Sequence, residues 1–223
     1  MTKSTEERLA ELEAGLEQML KPIKGIPFRV IVKSIAGCEV IPINPDNEND
    51  AELLRLLERA IHSAGEAVRI KPIERPRPNE VGNDIELFVK SALAAQGLKV
   101  EAPSALNGKT KGVGYPDILV FDASGRPTYI ECKTYSADTV RTSMRSFYLS
   151  PSDSFKVCRD ARHLVLSYEM IAQPVPGSRN SLYTAVAYKL VDVADLLCDV
   201  KYEFNSDNRR LYDPSLVLME GRF

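Results

Sequence analysis

One stretch constrains this chain more than any other. Gly114-Tyr115-Pro116-Asp117-Ile118-Leu119-Val120-Phe121 leads through Asp122-Ala123-Ser124-Gly125 into Thr128-Tyr129-Ile130-Glu131-Cys132-Lys133-Thr134. Two hydrophobic runs around a short polar turn predict a β-hairpin. Side chains alternate faces along a strand, so Glu131 and Lys133 share one face while Ile130 and Cys132 share the other. Asp117 opens the first strand after Pro116, a residue tolerated at a strand's first position. The hairpin therefore gathers two carboxylates and an amine at one end of a sheet, where apolar residues are the rule.

That trio points to chemistry. Hard divalent cations such as Mg²⁺ take oxygen ligands, commonly one or two protein carboxylates together with water and phosphate. Asp117 and Glu131 can supply those oxygens, with the backbone carbonyl of Cys132 between them. Lys133 is placed to orient or help deprotonate an attacking water and to stabilise charge on a phosphate. The reaction implied is metal-assisted phosphodiester hydrolysis.

At Pro116-Asp117 and Glu131-Cys132-Lys133 the chain resembles the PD-(D/E)xK nuclease superfamily, a likeness that covers roughly residues 79 to 170. Members carry a glutamate on a helix ahead of the motif, and Gly82-Asn83-Asp84-Ile85-Glu86 is similar to that helix, making Glu86 the matching position and Glu80 a weaker one. The resemblance implies that Asp117, Glu131, Glu86 and Lys133 are catalytic. It also implies that Asp117, Glu131, Glu86 and the Cys132 carbonyl hold Mg²⁺, for which Mn²⁺ can substitute. Among members, the length, the added amino-terminal segment and the non-basic charge are most like a type II restriction endonuclease, a homodimer that cuts double-stranded DNA at a short sequence. A resolvase of four-way junctions and a non-catalytic DNA-binding module are the alternatives. The fold implied is α/β, a central mixed sheet of about five strands flanked by helices.

The rest of the chain fits this frame. A net charge of −2 and a pI near 5.8 exclude a protein that coats nucleic acid indiscriminately, so DNA contact must be local. Lys109, Lys111, Arg141 and Arg145 flank the motif and are the basic residues expected to meet DNA, within a wider group that includes Arg69, Lys71, Arg75, Arg77, Lys156, Arg159 and Arg162. Four cysteines without CxxC or Cys/His spacing predict reduced thiols. With no apolar run long enough to span a bilayer and a polar, acidic start, the expected location is cytoplasmic.

Residues 1–74 are expected to form an amino-terminal α/β extension and 75–223 the nuclease core with its carboxy-terminal segment. Within the extension the pattern predicts an amphipathic helix over 4–20, strands at 28–34 and 39–43, and a helix from Asn49 to about residue 63. The proline-rich segment 72–78 reads as a stiff connector. Beyond it come a helix over 84–96, a strand at 99–102, the hairpin, two helices between 138 and 160, and strands at 163–168 and 182–191. A short helix over 192–197 and a strand at 201–204 complete the expectation. His163, at a strand edge, reads as structural.

Overall fold

The structure, a computed structural model, describes residues 4–105, 114–143, 145–152, 155–202, 206–211 and 213–219. It comprises two units, Met1–Gly25 with Cys198–Phe223, and Ile26–Leu197. The first unit holds helix α1 (Thr5–Met19), and its start follows from local chemistry. Ser4 Oγ accepts from Glu7 N at 3.2 Å while Glu7 Oε2 accepts from Ser4 N at 2.8 Å, a reciprocal cap that satisfies two orphan donors. Its stripe of Leu9, Leu12, Leu16 and Met19 is exposed.

The second unit is built on a six-stranded sheet. Its strands are β2 (Ile73–Arg75), β3 (Lys99–Glu101), β4 (Ile118–Phe121), β5 (Pro127–Tyr135), β6 (Arg162–Pro174) and β7 (Ser181–Asp192), with two-residue strands β1 (Ile26–Pro27) and β8 (Leu197–Cys198) outside it. The order is β2-β7-β6-β5-β4-β3, and every pairing is antiparallel except β5 with β6. This is the expected mixed sheet, with six strands. Helices α3 (Glu48–Ile70) and α4 (Pro78–Ala95) bury Leu53, Leu57, Ile61, Ile85, Val89 and Leu93 against Ile118, Val120, Ile130, Cys132, Leu164 and Leu166. The opposite face packs Tyr115, Leu119, Tyr129 and Val165 against Phe28 and Val32 of α2 (Phe28–Ala36). Strand alternation thus yields two cores from one sheet.

Several elements depart from expectation. Residues 28–34 are helical, not extended: Phe28 and Val32 are one helical turn apart on the buried face, and Gly37 ends the helix in a left-handed conformation with φ 68°. The β-branched run Val30-Ile31-Val32 is carried because tertiary burial outweighs its strand propensity. Residues 39–43 contribute a single bridge, Val40 to Ala161. Asn47, not Asn49, caps α3 by accepting from Asn49 N and Asp50 N, and the helix continues past Gly65 to Ile70. The absence of a side chain at Gly65 admits the Tyr168 ring, whose Cε1 would lie 3.4 Å from a Cβ there.

Ile73–Arg75 pairs with β7 as an edge strand, and Pro78 sits at the start of α4, which therefore includes Glu80. The two helices expected between 138 and 160 are absent among the described residues, which form turns, bends and irregular chain there. Residues 194–195 form a turn in place of the short helix expected over 192–197. The strand expected at 201–204 lies partly outside the described residues, and Lys201 and Tyr202 are not in a strand.

One buried charge cluster ties helix to sheet. Asp50 Oδ1 accepts from Arg126 Nη1 at 2.7 Å and Arg162 Nη2 at 2.6 Å, while Oδ2 accepts from Asn44 N at 3.0 Å. Burial alone would raise the Asp50 carboxyl, but the Asn44 amide and the two guanidinium groups outweigh it and hold its pKa below the ordinary value. Asp50→Ala leaves the buried Arg162 guanidinium without its carboxylate and takes from Arg126 one of its two, Asp122 remaining, so urea unfolding should show a loss of about 3–5 kcal/mol. Because the folded pKa is depressed, the Asp50 contribution is present above the unfolded carboxylate pKa. It is lost as pH falls through the lower folded value, so wild type and variant should converge in stability in acid.

Candidate active site

The hairpin forms as its sequence dictates. Asp122 Oδ1 accepts from Ser124 N at 2.9 Å and Arg126 N at 3.0 Å, closing the turn that brings β4 back as β5. The ladder runs from Phe121–Pro127 to Ile118–Ile130, so Asp117 and Glu131 are the next residues beyond its last pair. Asp117 Oδ2 accepts from Cys132 N at 2.8 Å, a backbone bond that fixes the carboxylate at the ladder's end. Lys133 Nζ donates to Glu131 Oε1 at 2.6 Å. Cys132 points the other way, into the core under α3 and α4.

The site's electrostatics are those of anions crowded together. Glu131 is 5% exposed. Burial first, and repulsion from Asp117 second, push its carboxyl above the ordinary range, with Lys133 opposing both. Its Oε2 is buried and has no hydrogen-bond partner among the described residues. Glu86, on α4, is raised for the same two reasons, burial and then Asp117, although Lys90 Nζ donates to its Oε2 at 3.2 Å. Burial would lower the Lys133 ammonium, but Glu131 and Asp117 prevail and hold it as a cation.

Asp117, Glu131, Glu86 and Lys133 are therefore brought together. Glu80 is not among them; its charge acts on Arg75, whose guanidinium makes a two-point bridge to Asp84. Among the described residues no three His, Cys, Asp or Glu side chains form a ready-made metal cage. A magnesium ion, which keeps several waters, requires none. Asp117, Glu131 and Glu86 are the carboxylates that could hold one, and the unbonded Glu131 oxygen suits that use.

Of the basic residues expected at DNA, Lys109 and Lys111 lie outside the described residues. Arg141 and Arg145 are exposed. The Arg145 guanidinium sits 5.1 Å and Lys133 Nζ 5.7 Å from the centre of the Tyr148 ring, so this aromatic links the loop after β5 to the site. Lys156 proves to be more than one of a basic group. It is buried, and Asp117, Glu131 and Glu86 all act on its charge. Nothing in its sequence neighbourhood distinguishes it from Arg159 or Arg162.

Behind Asp117 lies an aromatic support. Tyr115 Oη is hydrogen-bonded to His163 Nδ1 at 2.6 Å, and the two rings stack with centroids 5.9 Å apart against Phe28 and Phe147. Burial pushes the imidazole down to about 3, so His163 is neutral and structural, in the fully buried interior instead of at an edge.

Sequence comparison places the chain among type II restriction enzymes. Residues 22–215 match the MjaV type II restriction enzyme family, and the chain belongs to it. The type II restriction enzyme MjaV of Methanocaldococcus jannaschii is 35% identical over 225 residues, an alignment covering 94% of this chain and 95% of that protein. No described helix is long and apolar enough to cross a membrane.

Tyr115→Phe removes the only hydrogen-bond partner of the His163 ring among the described residues, since Nε2 is buried without one. Denaturant unfolding should register a loss of about 1–3 kcal/mol.

Proposed function

We propose that this protein is a Mg²⁺-dependent endonuclease that cuts double-stranded DNA at a specific short sequence and works as a homodimer. The observation that carries the metal-dependent chemistry is the cluster of Asp117, Glu131 and Glu86, mutually repelling and with one buried Glu131 oxygen unbonded, beside Lys133. Membership of a restriction enzyme family supports the substrate and the sequence specificity. The homodimer follows from cutting both strands of a symmetric site, which a two-fold assembly does with one active site per strand.

In hydrolysis the oxygen of water bonds to phosphorus, one ester P–O bond breaks, and the proton ends on the leaving oxygen. Asp117, Glu131 and Glu86, with the Cys132 carbonyl, would hold Mg²⁺. The bound ion supplies charge neutralisation and Lewis acidity at the phosphate. The chain's own residues do the positioning. Asp117 is fixed by the Cys132 amide, and Glu131 is held at one oxygen by Lys133. An ammonium has three donors, so Lys133 keeps two for water or a phosphate oxygen while bonded to Glu131. As a cation it orients and stabilises charge, and its bond to Glu131 keeps it from acting as a free base.

An end-mapped digest of long mixed-sequence duplex with Mg²⁺ should give discrete bands. Smearing would remove the sequence specificity, and cutting confined to four-way junctions would replace the restriction reading with that of a resolvase. EDTA should abolish cleavage, and Ca²⁺ should support binding without cutting. Asp117→Asn, Glu131→Gln and Lys133→Ala should each slow single-turnover cleavage at least a hundredfold, about what one charge-stabilising group contributes, with DNA affinity in Ca²⁺ largely kept. Glu86→Ala should be similarly damaged and Glu80→Ala close to wild type; the reverse order would unseat Glu86.

A further inference from the structure

Lys156 is 4% exposed. Even so, its ammonium makes no hydrogen bond or ion pair with any described residue, whereas Lys133 is bonded to Glu131 and Lys90 to Glu86. Its nitrogen is not among the side-chain atoms sealed from solvent without a partner, so a buried stem delivers an unpaired charge at an open tip. Packing does not demand it here. Phe155 and Val157, its neighbours, already dock on the Phe28, Tyr115 and Tyr129 cluster, and Cys158 N donates to Tyr129 Oη at 3.2 Å. These contacts anchor the segment beside the strands that carry Asp117 and Glu131. Burial lowers the Lys156 ammonium below its ordinary value and Lys90 adds to this, while Asp117, Glu131 and Glu86, none of them bonded to it, favour its charge. Its three donors are open to a group that brings oxygens of its own.

We propose that Lys156 is a second catalytic lysine, whose ammonium binds an oxygen of the scissile phosphate and stabilises the charge that develops there. This assignment rests on the nuclease reading of the same site. Lys156 acts through its charge, which the neighbouring carboxylates favour, and no bond to it forms or breaks. The two lysines divide the work: Lys133 is tied to a carboxylate, and Lys156 is kept open for substrate.

The test compares wild type with Lys156→Met and Lys156→Gln in single-turnover cleavage with Mg²⁺, in duplex affinity with Ca²⁺, and in thermal melting. Both variants should cleave at least tenfold and up to about a thousandfold more slowly, the range found for removing one donor to a developing negative charge. Affinity should stay within about tenfold, roughly the effect of one phosphate contact. Melting temperatures should stay close to wild type, because the substitutions remove no hydrogen bond or ion pair made to a described residue. A loss below tenfold in both variants overturns the assignment. So does a slower rate matched by equal loss of affinity, or a lowered melting temperature in both, which makes Lys156 a support of the fold. Wild type that cuts while both variants cut normally removes only this assignment. Wild type that cuts no DNA removes the nuclease reading, and the assignment with it.

Discussion

The parallel pairing of β5 and β6, from Thr128–Arg162 to Tyr135–Glu169, is the constraint on which the remaining arrangement depends. Antiparallel neighbours can be joined by a tight turn, but parallel ones require a long crossover. Here the described residues of the crossover between Tyr135 and Arg162 lie partly on the face that bears Glu131 and Lys133. It lays Tyr148 beside Lys133 and sets Phe155, Val157 and Cys158 against Tyr115 and Tyr129. Lys156 arrives with them. The same ladder separates the sheet's two faces, one closed by α3 and α4, the other holding charge.

That second face is tolerable only because its polar groups are tied down. Asp117 holds a backbone amide, Glu131 holds Lys133, and Tyr115 holds His163. What remains is a local cost: a buried Glu131 oxygen, carboxyls raised by burial and repulsion, and, close by in sequence or packing, the unbonded Thr128 Oγ1 and His163 Nε2. Such sites persist when the surrounding packing holds them in place, and here two separate apolar clusters do so.

Much of this was legible in the sequence, and for identifiable reasons. The hairpin and its charged face follow from a period of two, and Glu86 from its place on a helix that leads into the site. The bond from Cys132 N to Asp117 was not legible, since it depends on where the β4–β5 ladder ends. The identity of residues 28–36 turned on burial of Phe28 and Val32, which overrode the strand preference of Val30 and Ile31. The crossover lacks the helices its composition predicts among the described residues, because its backbone is organised by docking on Tyr115 and Tyr129. Lys156 and Arg159 look alike in sequence, and only the tertiary fold buries one and leaves the other exposed.

The contact between Gly65 and Tyr168 bears on how the molecule can move. Tyr168 belongs to β6, is paired with Thr134 of β5, and donates its hydroxyl to the Ile61 carbonyl at 2.8 Å, while its ring lies against the helix where Gly65 has no side chain. This keys α3 axially to the two central strands, as a pin through a shaft prevents sliding. A shear of the helix along the sheet would have to break a buried hydrogen bond and expel a fully buried ring. Conformational adjustment around a bound ligand is thereby channelled into the crossover and the β6–β7 arm, while helix and central strands respond as one rigid block.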